Sequence, residues 1–212
     1  MRRTLRNEQY ENDGLIELGA DLWFDPHSSG LKLLPLEVAL KNRSRISAAM
    51  QRIREADVVV ITLGQTESWI DSATGIAMNA HPGPAALRKF PDRFIFVDHS
   101  YRNTIDQLER TIKLIRDVCN KDMRVVLTVS PVPFNATFRA QDVLVGHQAT
   151  KSMLRSVAEE MFRAHDFVDY YPSYEMVINS PRNLAWHEDQ MHVRGEMVAH
   201  IMSFFYSCYY EN

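Results

Sequence analysis

The chain has 212 residues, 45% hydrophobic and 24% charged, which is typical of one globular domain and excludes a disordered or fibrous protein. Its formal net charge of −3 argues against a nucleic acid or an anionic membrane held mainly by charge. The apolar runs are shorter than a membrane span needs, and the two distant cysteines predict no disulfide framework, so we expect a cytoplasmic location.

The first part of the chain has little hydrophobic periodicity. We therefore predict an irregular N-terminal segment over residues 1–34 and one α/β domain over 35–212. Residues 15–18 form the one short candidate strand in the segment. Asp25 and Pro26, followed by Ser28, Ser29 and Gly30, indicate a turn or loop.

From Pro35 onward, helices and strands are predicted to alternate. Apolar side chains at spacings of three and four predict a helix that ends near Ala56. The β-branched run over 57–63 is typical of a strand buried on both faces, as in a parallel sheet. Residues 64–91 contain several glycines and prolines without a clear period, so we predict a long loop there.

The second half repeats this alternation. The patterns predict a helix over 105–119, a buried strand over 124–129, a helix around Met161, a short strand over 167–170 and a final amphipathic helix. Strands that alternate with helices indicate βαβ units and a parallel sheet. The carboxyl ends of the three strands should therefore share one edge, where ligands bind in such folds.

The best chemical candidate is the spacing Asp-x-x-His just before the final helix. Asp189 can accept a hydrogen bond from one ring nitrogen of His192 and leave the other nitrogen to act as a base toward a serine hydroxyl. The alternative is a solvated loop in which the aspartate caps the helix. His187 lies five residues before His192 rather than four, so we expect no metal site there.

Gly64 ends the strongest predicted strand. A glycine there permits close approach of the backbone, and its N–H can donate to an oxyanion; the alternative is an ordinary glycine between a strand and a loop. The sequence contains no G-x-G-x-x-G, no phosphate-binding loop and no G-x-S-x-G, so no nucleotide or other cofactor is expected.

Taken together, these segments resemble the GSCFA family, whose members are similar to SGNH-type esterases and acyltransferases. The matching segments are ADVVVITLGQTESW at 56–69, VVLTVSPVPFNAT at 125–137, a helix start at Thr150 and Lys151, VDYYPSYE at 168–175, and finally Asp189 and His192.

The resemblance covers roughly residues 40–205 and implies a flavodoxin-like, three-layer α/β/α fold. It also implies a Ser-His-Asp apparatus in which His192 is the general base, Asp189 orients it and the N–H of Gly64 helps to form the oxyanion hole. The implied substrate is an ester-linked acyl group on a small molecule or a saccharide.

Two departures from the family pattern are visible. Thr66 stands where the SGNH pattern has an asparagine, and Asn79, further along the same loop, is the other candidate for binding the substrate or the oxyanion. The 212 residues contain no Gly-Ser-Cys-Phe-Ala segment, which supplies the nucleophile in the family, and Ser28 and Ser29 lie downstream of its place.

The same segment would carry the central first strand. Unless residues 15–18 replace it, the edge beside 57–63 should be exposed and available for a homo-oligomeric contact. Two functions of other classes therefore stay open. One is a truncated or inactive GSCFA domain that acts as a binding module, and the other is a flavodoxin-like module that binds a nucleotide or a flavin.

Overall fold

The computed structural model describes residues 2–6, 8, 14–27, 32–119 and 122–210. The chain divides into two compact units. The first comprises Met1–Ala56, Thr66–Asn103 and Arg110–Lys121, and the second comprises Asp57–Gln65, Thr104–Glu109 and Asp122–Asn212.

Helices and short strands follow one another along both units. In chain order they are α1 (Arg2–Arg6), β1 (Ile16–Gly19), β2 (Leu22–Phe24), α2 (Leu36–Gln51) with a 3₁₀ turn (Arg52–Glu55), β3 (Val58–Leu63), β4 (Glu67–Asp71), β5 (Ile76–Met78), α3 (Gly83–Lys89), β6 (Phe94–Asp98), α4 (Tyr101–Val118), β7 (Arg124–Val129), α5 (Val143–Ala164), β8 (Val168–Tyr170), α6 (Ser173–Ile178), α7 (Arg182–Ala185) and α8 (Gly195–Tyr209).

The N-terminal segment is more regular than expected where it is described. Strands β1 and β2 pair with each other as an antiparallel hairpin that forms its own two-stranded sheet. Residues 15–18 therefore supply a hairpin strand and do not replace the first strand of the parallel sheet. Ser28, Ser29 and Gly30 lie outside the described residues.

The prediction of one long loop over 64–91 was wrong. This stretch contains β4, β5 and α3, and β4 lies between β5 and β6 in a three-stranded antiparallel sheet of the first unit. Because the strands are short and turn residues between them are frequent, the alternation of apolar and polar side chains is not visible in the sequence.

A buried ion pair fixes the turn from β4 to β5. The carboxylate of Asp71 is fully buried and accepts hydrogen bonds from Arg93 at 2.6 and 2.9 Å and from the Thr74 hydroxyl at 2.8 Å. Burial raises the pKa of Asp71, but the hydrogen bonds from Arg93 and Thr74 outweigh it and leave the pKa lowered. Gly75 completes the turn with a left-handed φ of +67°.

The second unit contains the predicted parallel sheet. Its strand order is β3-β7-β8, and Leu63 lies opposite Val129 while Leu127 lies opposite Tyr170. The carboxyl ends of the three strands therefore share one edge, as predicted. Helix α5 connects β7 to β8 and contacts both strands.

Only the middle strand of this sheet is buried on both faces. In β7, Val125, Val126, Leu127 and Val129 have no exposed surface. In β3, by contrast, Val60 is 49% exposed, so the prediction of burial on both faces was wrong for that strand. The reason is position, because β3 pairs with β7 alone among the described strands and lies at the sheet edge.

The last three helices pack against the sheet through one apolar cluster. Its buried members are Val126, Tyr171, Val177, Ala185, Trp186, Ile201 and Phe205. This cluster holds the chain on both sides of the loop that contains Asp189 and His192. None of the described helices combines the length and apolar character needed to cross a membrane.

Substitution of Asp71 by alanine should lower the free energy of unfolding by about 3 kcal/mol, because it leaves the Arg93 guanidinium without its buried partner. Urea denaturation followed by circular dichroism measures this loss. The matched control is Asp92→Ala, at an exposed aspartate beside the same arginine, which should change stability by less than about 0.5 kcal/mol. Equal losses in the two variants would contradict this account of the turn.

Candidate active site

Asp189 and His192 are in direct contact. Oδ2 of Asp189 lies 2.6 Å from Nδ1 of His192, while its Oδ1 accepts hydrogen bonds from the backbone N–H groups of Met191 and His192 at 2.9 and 3.0 Å. Asp189 does not cap the final helix, because the N-cap position of α8 is Arg194. This contact uses Nδ1 of the imidazole, so Nε2 is available to interact with a different group.

Asp189 is poised to remain ionised. Its hydrogen bond with His192, followed by those from the two backbone N–H groups, holds its pKa well below the ordinary value. An ionised carboxylate accepts the Nδ1–H of a neutral imidazole and so selects the tautomer whose Nε2 carries a free lone pair. That tautomer is the one a general base requires.

Backbone contacts join the two ends of the loop that carries Asp189 and His192. Trp186 and Val193 form an antiparallel bridge, and the N–H of His187 donates to the carbonyl oxygen of His192 at 2.9 Å. Trp186 is buried in the apolar cluster, and Nε of Arg194 donates to its carbonyl oxygen at 2.8 Å. The backbone on both sides of His192 is thus anchored to the core of the second unit.

Gln190, between the two candidate residues, adopts a left-handed backbone conformation with a φ of +58°. This conformation is unfavourable by about 1 kcal/mol for a residue that has a Cβ, so other contacts must hold the backbone of Gln190 in it. Its side-chain amide donates to the carbonyl oxygen of His187 at 3.0 Å, and its Oε1 accepts from Arg182 at 2.8 Å. These contacts hold the turn that brings Asp189 back to His192.

The pair faces solvent, since the side chains of His192 and Asp189 are 76% and 48% exposed. A substrate could therefore reach Nε2 directly. The described residues contain no group of three histidine, cysteine, aspartate or glutamate side chains that could hold a metal ion.

Gly64 follows β3 at the shared edge of the parallel sheet. The carbonyl oxygen of Leu63 accepts from the N–H of Ser130 at 2.9 Å, on the side of β7. Because C=O and N–H point in opposite directions across a trans peptide, the N–H of Gly64 points away from β7.

The fold itself does not require a glycine at position 64. Its φ is outside the left-handed region, and a Cβ built there would meet no heavy atom of the described residues within 4 Å, its chain neighbours apart. Open space beside a backbone N–H suits the close approach of a ligand.

Lys151 of α5 is a site residue that the sequence pattern left without a role. The side chain is almost fully buried, its Nζ donates to the carbonyl oxygen of Gly64 at 2.9 Å, and it lies 5.5 Å from the ring centre of Phe134. Burial lowers its pKa to about 8. One signal was available, because Lys151 shares the helical spacing of the buried Leu154 and Ala158.

Thr66 and Asn79 belong to the first unit. Thr66 is buried, and its carbonyl oxygen accepts from the N–H of His99 at 2.9 Å; Asn79 is exposed, and its N–H donates to the carbonyl oxygen of Pro26 at 2.7 Å. Their roles in binding a substrate stay predictions. The first unit also contains an unforeseen contact, with Oγ of Ser68 2.8 Å from Nε2 of His99.

The VDYYPSYE segment has a structural role. The carboxylate of Glu175 accepts from the hydroxyl of Tyr170 at 2.8 and 2.9 Å and from Nε of Arg155 at 2.7 Å. The hydroxyls of Thr128 and Ser173 lie 2.5 Å apart. These bonds fasten β8 and α6 to α5 and β7, next to the loops of the candidate site.

The pattern of strands and the contact of Asp189 with His192 agree with one known family. A sequence model of the GSCFA family matches residues 1–205. The chain belongs to the GSCFA family. No curated protein and no solved structure matches it. In this GSCFA protein, Gly64, Lys151, Asp189 and His192 all belong to the second unit.

The buried lysine of this GSCFA protein makes its stability depend on pH. The pKa of Lys151 falls from an ordinary value of 10.5 to about 8 in the folded state, so between these values the unfolded chain binds more protons. The free energy of unfolding should therefore rise with pH, by about 3 kcal/mol in total from this group.

Lys151→Met should remove that rise, because methionine carries no proton to lose. Denaturation at pH 7 and pH 10 measures the difference between the variant and the parent protein, which cancels the other titrating groups. Lys113→Met, at an exposed lysine of α4, is the matched control and should keep the rise. An identical pH dependence in Lys151→Met and the parent protein would refute the assignment.

Proposed function

We propose that this protein is a serine-type esterase or O-acyltransferase that acts on an ester-linked acyl group of a small molecule or a saccharide. The observation that carries the proposal is the 2.6 Å contact between Asp189 and His192 in a chain of the GSCFA family. It is the base-and-orienter half of the Ser-His-Asp arrangement. We further propose that the parallel sheet and its helices form a flavodoxin-like, three-layer arrangement.

In this mechanism His192 moves the proton. Its Nε2 accepts the proton of a serine hydroxyl while the serine oxygen attacks the acyl carbon of the ester. His192 then gives the proton to the departing alkoxide, and an acyl-enzyme remains. Water or an acceptor hydroxyl, deprotonated by the same nitrogen, then attacks the acyl-enzyme, and the serine oxygen leaves and takes the proton back from His192.

Asp189 keeps His192 in position through both steps. Its carboxylate stays ionised at neutral pH and holds Nδ1–H, so it stabilises the imidazolium that forms when Nε2 takes the proton. The anchored backbone of the loop supports this role, because neither residue needs to reorganise before the proton moves.

Gly64 supplies the oxyanion contact in the proposal. Its N–H points away from β7, a Cβ at Gly64 would meet no heavy atom of the described residues within 4 Å beyond its chain neighbours, and the N–H can donate to the negative oxygen of the tetrahedral intermediate. Neither the sequence nor the structure assigns the serine, so labelling with a fluorophosphonate and peptide mass spectrometry is the direct way to identify it.

His192→Ala should lower the turnover of p-nitrophenyl acetate by about a hundredfold or more, because the base is lost. Asp189→Asn should cause a loss of the same order, because an amide does not select the required tautomer. Both rates are measured by release of p-nitrophenol at neutral pH.

The control is His187→Ala, in the same loop and at a similarly exposed imidazole. Exposed imidazoles hydrolyse activated esters without any enzyme site, so this variant measures that background. Equal rates in His187→Ala, His192→Ala and the parent protein would rule out catalysis by the pair. Such a result, with no fluorophosphonate label, would favour the alternative of a GSCFA domain that only binds its partner.

Gly64→Ala tests the oxyanion contact separately from the base. The methyl group would enter open space, so the free energy of unfolding should change by less than about 1 kcal/mol. Turnover should fall about tenfold or more, because the methyl group obstructs the approach to the N–H. The control is Gly195→Ala, whose methyl group would also enter open space in the second unit. This variant should keep full activity. Unchanged turnover in Gly64→Ala would exclude the proposed contact.

A further inference from the structure

Burial of the Lys151 side chain is energetically unfavourable. Lys151 is 1% exposed, and none of the described carboxylates forms an ion pair with it. A buried cation without an anion destabilises the folded chain, and an apolar side chain of similar length would fill the same space at lower cost. Its one hydrogen bond, to the carbonyl oxygen of Gly64, is therefore the feature that needs an explanation.

That hydrogen bond completes a clamp on the two peptides that flank Gly64. The preceding peptide is held through the carbonyl oxygen of Leu63, which accepts from the N–H of Ser130 at 2.9 Å. The following peptide is held through the carbonyl oxygen of Gly64, which accepts from Lys151 at 2.9 Å. Together they fix both backbone dihedral angles of Gly64.

A clamp is needed because glycine has no Cβ to restrict its backbone. Because a Cβ at Gly64 would meet no heavy atom within 4 Å among the described residues, its chain neighbours apart, the peptide after Gly64 could rotate at little steric cost. Such a rotation would take the carbonyl oxygen of Gly64 away from Lys151 and let it approach the oxyanion. A carbonyl oxygen there would repel the developing negative charge instead of stabilising it.

We propose that Lys151 is a positioning residue that holds the carbonyl oxygen of Gly64 away from the oxyanion site and so keeps the N–H of Gly64 available to the substrate. This inference rests on the proposed esterase or acyltransferase function.

The surroundings of the ammonium group favour this role. Phe134 places its ring 5.5 Å from Nζ, and the imidazole of His147, one helical turn earlier, packs edge-on against the same ring at 5.3 Å. Burial, followed by the charge of Lys151, lowers the pKa of His147. Gly64 and Phe134, which also neighbour the ammonium group, carry no titratable group.

The first test is independent of activity. In protein labelled with ¹³C and ¹⁵N, the carbonyl carbon of Gly64 and the amide nitrogen of Gln65 should change their chemical shifts in Lys151→Met, while Lys113→Met should leave them unchanged. Lys151→Arg keeps a donor and should restore much of the change. In the parent protein the same two nuclei should titrate together with Nζ of Lys151, which needs no variant to fold. Nuclei that ignore both the substitution and the titration would overturn the clamp.

The second test separates the positioning role from a structural one. Lys151→Met should lower kcat for p-nitrophenyl acetate about tenfold to a hundredfold, with KM within about twofold, because the loss concerns only the transition state. Lys151→Arg should recover part of kcat. If His192→Ala abolishes turnover but Lys151→Met does not lower kcat, the positioning role is wrong and the proposed function stands. If His192→Ala leaves turnover intact, the proposed function is wrong, and the catalytic part of this inference fails with it.

Discussion

The second unit depends on the complete burial of β7. This strand pairs with β3 on one side and β8 on the other, and its apolar side chains have no exposed surface. The parallel register brings Leu63, Val129 and Tyr170 to one edge, and the loops that leave this edge carry Gly64 and the segments that anchor α6. A continuous run of apolar side chains of this kind is typical of a strand that is covered on both faces in a parallel sheet.

Asp189 and Lys151, both in the second unit, carry their charges in opposite environments. Asp189 is exposed and surrounded by donors, so its negative charge is stabilised and constant at neutral pH. Lys151 is buried with a single acceptor, so its positive charge is costly and sensitive to pH. The environment of Asp189 suits a carboxylate that stays ionised beside a group that exchanges a proton. The environment of Lys151 suits an ammonium group that donates a strong hydrogen bond to one nearby acceptor.

Local patterns predicted several features correctly. Hydrophobic spacing predicted helices α2, α4, α5 and α8 and the strands of the parallel sheet. The contact of Asp189 with His192 was expected from a spacing of three residues, since a turn of that length lets a side chain reach forward. The strands β4, β5 and β6 were missed, because the frequent turn residues between them hide the alternation.

The sequence alone therefore determined the family, the parallel sheet and the pair formed by Asp189 and His192, all of which depend on residues close together in the chain or on repeated patterns. The tertiary structure decided the contacts between distant residues. It put Lys151 on the carbonyl oxygen of Gly64 and joined Asp71 to Arg93. Periodicity shows that a side chain faces inward, but only the packing of one element against another decides which atom it meets there.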